Sequence, residues 1–154
     1  MKKLLTLLCI MSVMPLAAQD IRWSEMFPGV WKGEFGIPEQ YSLLSAAECA
    51  PNQSALEKMP DSAFPLIKED IHAEIIEGKT YLRLPLVREE QIFGLGLNFK
   101  TVHQRGRIMT LHVDHYGGRD DGRTHAPIPF YVSSNGYGVL VNSARYLKYY
   151  VGSN

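Results

Sequence analysis

The chain has 154 residues, with sixteen Lys and Arg against sixteen Asp and Glu, so its formal net charge is zero. That length suits one domain at the usual ~100–200 residues each, and the lack of a basic excess argues against nucleic-acid binding, which shows as a positive surplus or stripe. With 45% hydrophobic and 21% charged residues, the composition excludes intrinsic disorder and predicts a packed core.

At the N-terminus, Met1-Lys2-Lys3 is basic, Leu4 to Met14 is apolar, and Pro15-Leu16-Ala17-Ala18 closes the run with small residues. This layout predicts a secretory signal peptide over residues 1–18, because an eleven-residue, mainly apolar run is too short to cross a bilayer core that needs ~20. The expectation is export to the periplasm or the extracellular space, with no membrane association after cleavage. Cleavage leaves 136 residues with fourteen basic and sixteen acidic side chains, a net charge of −2. It also removes Cys9 and leaves Cys49 alone, so the mature chain must rely on its apolar core rather than on a disulfide.

Residues 19–66 form the next segment. Trp23 to Phe35 predicts two short strands or an edge strand interrupted at Pro28-Gly29. Residues 36–66, punctuated by Pro38, Pro51, Pro60 and Pro65, predict mostly loop with a short helix around Ser54 to Lys58. Residues 67–154 form a β domain. Ile71 to Ile75 and Thr80 to Leu86 alternate with period two around Glu77-Gly78-Lys79, which predicts a hairpin with Leu82, Leu84 and Leu86 on one face. Pro85 places the second strand at an edge or at its end. Arg107 to Asp114 puts Met109, Leu111 and Val113 on one face and Thr110, His112 and Asp114 on the other. Phe130 to Ser134 and Tyr137 to Val141 flank Asn135-Gly136, which predicts a hairpin with both central residues at positive φ. Tyr146 to Val151 is the last strand. Short strands at ~10-residue spacing, with Gly and Pro between them, read as a β-sandwich or barrel.

Few local clusters carry chemistry. Thr110-Leu111-His112-Val113-Asp114-His115 comes within one residue of the His-x-His-x-Asp-His motif of metallo-β-lactamase-fold hydrolases. Thr110 stands where the first imidazole is needed, and zinc takes nitrogen, thiolate or carboxylate ligands, so no metal is expected. Gly94-Leu95-Gly96 lacks the third glycine and following helix of a phosphate-binding turn. Asp120-Asp121, set among glycines and arginines, reads as a solvated turn.

Three stretches together resemble one family. Glu90-Gln91-Ile92-Phe93-Gly94-Leu95-Gly96-Leu97-Asn98-Phe99, then Gln104-Arg105-Gly106-Arg107, then Pro127 to Ser143 with its Pro-Phe strand and Gly-Tyr-Gly hairpin, are similar to the N-terminal domain of glycoside hydrolase family 31, the α-glucosidase and α-xylosidase family. The resemblance implies an all-β fold, a galactose-mutarotase-like β-sandwich with a loop-rich N-terminal third, placed ahead of a (β/α)8 barrel. In that family the nucleophile and acid carboxyls lie on the barrel, and two close carboxyls retain anomeric configuration. This sequence stops at Asn154 without a barrel, so the resemblance brings no catalytic residues and no cofactor. The expected role is non-catalytic: packing on the missing barrel and shaping the site for an α-linked oligosaccharide or glycoside. Asp114 matches the family's sugar-lining aspartate, and His115, Tyr116, Arg119 and Asp120 lie on the same loop as further candidates for sugar contact. Two alternatives remain open, a free-standing carbohydrate-binding sandwich and, behind it, a zinc-dependent hydrolase.

Overall fold

The computed structural model describes residues 20–37, 39–46, 52–97, 100–113, 123, 124 and 126–153. The first hairpin joins β1 (Arg22–Phe27) and β2 (Val30–Glu34) around Pro28-Gly29, as the sequence predicts. Its register sets Trp23 opposite Gly33 and Trp31 opposite Glu25, which puts both indoles on one face. Phe64 meets both of them edge-on, at 4.8 Å from Trp23 and 5.3 Å from Trp31. Lys68 Nζ lies 4.8 Å above the Phe64 ring. This aromatic cluster ties the hairpin to the irregular stretch that follows it.

Two short helices lie between: α1 (Leu43–Ala46) and α2 (Gln53–Leu56). The α2 helix overlaps the short helix predicted around Ser54 to Lys58 but ends two residues sooner, and Asn52 caps it by accepting from the Ala55 N–H. The α1 helix is not foreshadowed in the sequence; its turn is held by Ser42 and Ser45, whose side chains bond each other and the local backbone.

After a 3-10 turn at Lys68–Asp70 come β3 (His72–Ile76) and β4 (Lys79–Arg83), an antiparallel hairpin in the expected place. The second strand ends two residues before Pro85, and the predicted single face of leucines is split. Leu82 is exposed, whereas Leu84 and Leu86 leave the strand and pack half-buried against the core. A proline that cannot donate to a ladder ends the pairing and frees the chain to turn inward.

The core lies between two three-stranded sheets. One has the order β5-β8-β9, from Ile92–Gly94, Phe130–Ser133 and Gly138–Leu140; the other has the order β10-β6-β7, from Leu147–Val151, Arg107–Val113 and Arg123–Thr124. Ile92, Leu95, Tyr131 and Tyr137 from the first region meet Met109, Leu111 and Val151 from the second. Met109 and Leu111 face inward with Thr110 exposed between them, as period two requires. Each fully buried Leu or Met stabilises by roughly 1.5–3 kcal/mol over an exposed one. The opposite face of β8 and β9 stays in solvent: Phe130, Val132 and Leu140 are each about two-fifths exposed.

The β8–β9 turn differs from expectation. Gly136 is at φ +81°, but Asn135 is not at positive φ, and the Ser133 N–H donates to the Tyr137 carbonyl at 2.8 Å. The connection is therefore three residues, Ser134 to Gly136, with only the glycine left-handed. The Ser133 hydroxyl accepts from the Asn135 N–H at 3.0 Å and holds Asn135 in the ordinary region.

Gly94-Leu95-Gly96 is a structural device. All three residues take positive φ, at 111°, 63° and 87°, and Leu95 is completely buried. The Leu95 N–H donates to the Phe130 carbonyl and the Leu97 N–H to the Ala126 carbonyl, which press this bulge against the chain entering β8.

Candidate functional site

The five residues read from the sequence as sugar contacts, Asp114, His115, Tyr116, Arg119 and Asp120, lie outside the described residues, as does Cys49. What the structure fixes is the frame on either side. β6 ends at Val113, and β7 pairs with it in parallel, Thr110 beside Arg123 and Val113 beside Thr124. Next to that frame, the ring of His112 meets Tyr146 edge-on at 4.6 Å. Tyr146 lies one residue before β10 and, by the register that pairs Leu147 with Leu111, falls opposite His112. No group of three or more His, Cys, Asp or Glu suited to hold a metal occurs among the described residues.

A second polar cluster joins two parts of the chain that the sequence gives no reason to connect. Arg145 Nε reaches Glu39 Oε1 at 2.6 Å, and the Ser143 hydroxyl donates to Glu39 Oε2 at 2.9 Å. The same Ser143 oxygen accepts from the Arg145 N–H, and Asn142 Oδ1 accepts from the Leu44 N–H at 3.1 Å. These contacts seat residues 39–46 on the β9–β10 connection. Between them opens a depression of about 310 Å³ lined by Glu39, Gln40, Tyr41, Ala144 and Arg145.

The most buried polar groups are the carboxylate of Glu90, 2% exposed, and the amide of Gln104, 1% exposed. Glu90 Oε1 accepts from the Ser133 hydroxyl and, at 2.5 Å, from the Tyr137 hydroxyl; Oε2 accepts from the Val87 N–H at 3.1 Å. One carboxylate thus binds both ends of the β8–β9 turn to the chain entering β5. Arg105 Nη1 reinforces that entry by donating to the carbonyls of Val87 and Glu90, at 2.8 and 2.7 Å. Gln104 donates to the carbonyls of Thr101 and Val102 and accepts from Arg107. Buried this deeply, Glu90 and Gln104 organise the fold and do not meet a ligand. Sequence reasoning misses the role of Glu90; its only local sign is an acid two residues ahead of an apolar strand.

Three tyrosines share this interior. Burial, with the Glu90 charge second, pushes the Tyr131 hydroxyl from 10.0 up to about 12. Burial also raises Tyr137, followed by its hydrogen bond to Glu90, and Tyr149, followed by the proximity of Tyr131. The unfolded chain releases these protons near pH 10 while the folded chain keeps them. Their stabilisation is therefore complete below pH 10 and declines above it; that of Tyr131 is lost as pH rises toward 12, and the decline from Tyr137 and Tyr149 continues beyond. Stability measured by urea denaturation is expected to be flat to about pH 10 and then to fall by about 1.4 kcal/mol per pH unit for each tyrosine involved. Tyr131→Phe should make that decline shallower, and an unchanged slope would contradict the assignment.

Two small β-sheets closing on one apolar core, with the buried polar groups spent on turns and strand entries, define a β-sandwich domain of the all-β class. A family model described as the glycosyl hydrolase 31 N-terminal galactose mutarotase-like domain matches residues 49–149, more than half of the chain. The chain belongs to that family. Among similar proteins are "Alpha-xylosidase XylQ" of Lactiplantibacillus pentosus, 38% identical over 66 residues (42% of this chain and 8% of the relative), and "Alpha-xylosidase" of Emericella nidulans, 38% identical over 66 residues (43% and 8%). "Isomaltosyltransferase" of Sporosarcina globispora is 35% identical over 60 residues (39% and 6%). The matched stretch spans less than a tenth of the length of each of these relatives.

Proposed function

We propose that this chain is the non-catalytic N-terminal sandwich of an exported, retaining α-glycosidase, that it packs on a catalytic barrel, and that it helps to shape the sugar entrance. In this reading residues 1–18 are a signal peptide, residues 19–66 are an N-terminal strand-and-loop segment, and residues 67–154 are the sandwich proper. The relatives named as α-xylosidases support a glycoside as the substrate of the whole protein. The observation that carries the packing role is the outer face of β8 and β9, where Phe130, Val132 and Leu140 present contiguous apolar surface to solvent. Such surface on a small domain is the mark of an interface. Asp114, with His115, Tyr116, Arg119 and Asp120 beside it, would reach the sugar from the connection between β6 and β7.

Two measurements on the full chain test this. A hydrophobic dye should bind it, and Val132→Lys should abolish most of that binding while leaving the far-ultraviolet spectrum unchanged. Oligosaccharide should not bind through segment 114–122 when the barrel is absent. Saccharide affinity lost on Asp114→Ala would favour the free-standing binding module instead, and failure of the dye to bind would remove the basis for the packing role.

A further inference from the structure

The depression between residues 39–41 and 144–145 has no part in the role proposed above, and its chemistry is selective. Glu39 and Arg145 form an ion pair at 2.6 Å, so the site offers an acceptor and a fork of donors side by side with no net charge. An anion drawn to Arg145 meets the Glu39 carboxylate, and a cation drawn to Glu39 meets the guanidinium, so neither charge sign gains. A hydroxyl gains from both, because it donates to the carboxylate and accepts from the guanidinium. Gln40 adds an amide that can do either. Tyr41, 70% exposed, brings an aromatic ring to the same depression, a surface suited to the apolar C–H face of a ring-shaped polyol.

The Glu39 carboxylate and the backbone on both sides of the depression are also held in place. Ser143 fixes the second Glu39 oxygen at 2.9 Å while accepting from the Arg145 N–H, and Asn142 pins the Leu44 backbone. Groups already positioned lose less freedom on binding. The volume of about 310 Å³ falls at the small end of ligand sites, which run from ~300 to 1,000 Å³.

From this combination we infer that the depression lined by Glu39, Gln40, Tyr41 and Arg145 is a second, low-affinity saccharide site. It takes a neutral sugar through neighbouring hydroxyls on the ion pair and a ring face on Tyr41. The site stands apart from segment 114–122 and does not depend on the role of that segment.

Amide chemical-shift titration of the full chain with maltotriose, and separately with inorganic phosphate at matched ionic strength, tests it. Maltotriose is expected to give saturable shifts centred on Gln40, Tyr41, Ala144 and Arg145. Tyr41→Ala should weaken that affinity about 5-fold, Gln40→Ala should weaken it less, and phosphate should give no saturable shift. The amides of Leu95 and Met109 report whether each variant keeps its core; both substituted side chains lie on the surface. The inference fails if maltotriose gives no saturable shift at these residues, if Tyr41→Ala and Gln40→Ala both bind as the parent does, or if phosphate binds more tightly. Shifts centred on residues 114–122 instead would also overturn it, and would speak for sugar binding by that segment alone.

Discussion

Gly96→Ala is expected to lower the free energy of unfolding by about 4 kcal/mol or more, a large share of the ~5–15 kcal/mol that holds a domain together. A β-carbon on Gly96 would stand 2.1 Å from the Ala126 carbonyl oxygen, 2.9 Å from the Ile128 nitrogen and 3.0 Å from the Ala126 carbonyl carbon. All three are backbone atoms, so no side-chain rotation relieves the contact. The chain at 126–128 would have to retreat, breaking the bond from the Leu97 N–H to the Ala126 carbonyl and drawing on Leu95, whose burial is complete. A residue other than glycine at φ +87° adds roughly 1–3 kcal/mol of backbone strain. Gly78→Ala separates the two contributions, since Gly78 has a similar φ of +74° and nothing within 4 Å of its virtual β-carbon. Its cost should be the conformational part alone. Urea denaturation of both variants decides the matter: equal losses would mean that the approach to Ala126 contributes nothing.

The contrast between those two glycines also shows what a sequence can and cannot convey. Period-two alternation locates β3, β4 and β6; in β6 it records which side chains meet the core, and Met109 and Leu111 are where that pattern places them, whereas β3 and β4 carry no buried side chain. Pro85 marks the end of a strand in the sequence and in the structure alike. The inward path of Leu84 and Leu86 around it is not legible, because it depends on the sheet they reach rather than on their neighbours. Asn135-Gly136 marks a turn but not its type, which is set by the Ser133 hydroxyl capping the Asn135 N–H. Gly94-Leu95-Gly96 shows in the sequence only that it is no phosphate loop, since its purpose is close approach to residues about thirty positions away. Glu39 and Arg145 are separated by most of the chain, and no local rule pairs them. The family itself is legible, because residues 90 to 143 carry several of these devices in order, and the matched region 49–149 contains that stretch.

Glu90→Ala should have the second large effect, a loss of about 3 kcal/mol or more, through groups that lie far from Glu90 in the sequence. Removing the carboxylate leaves the buried Ser133 and Tyr137 hydroxyls without their acceptor, and also frees the Val87 N–H, which lies nearer the surface. Each buried donor so orphaned costs roughly 1–3 kcal/mol, and donors to a charged acceptor sit at the upper end. Glu90→Gln keeps the shape and one carbonyl oxygen but turns the other acceptor into a donor, so it should fall between Glu90→Ala and the parent. The Tyr137→Phe variant discriminates a network from a set of separate bonds. If the carboxylate acts as a single staple, the double variant Glu90→Ala, Tyr137→Phe should cost clearly less than the two single losses added, because the phenyl ring carries no hydroxyl left to satisfy. Strict additivity would show that the two groups do not share their stabilisation. The staple also predicts where the loss appears first. Amide exchange should rise at Ser133, Asn135 and Gln91, the turn and strand entry that Glu90 joins, before it rises at Met109 on the opposite sheet. A uniform rise across both sheets would mean that Glu90 stabilises the domain as a whole and not this junction.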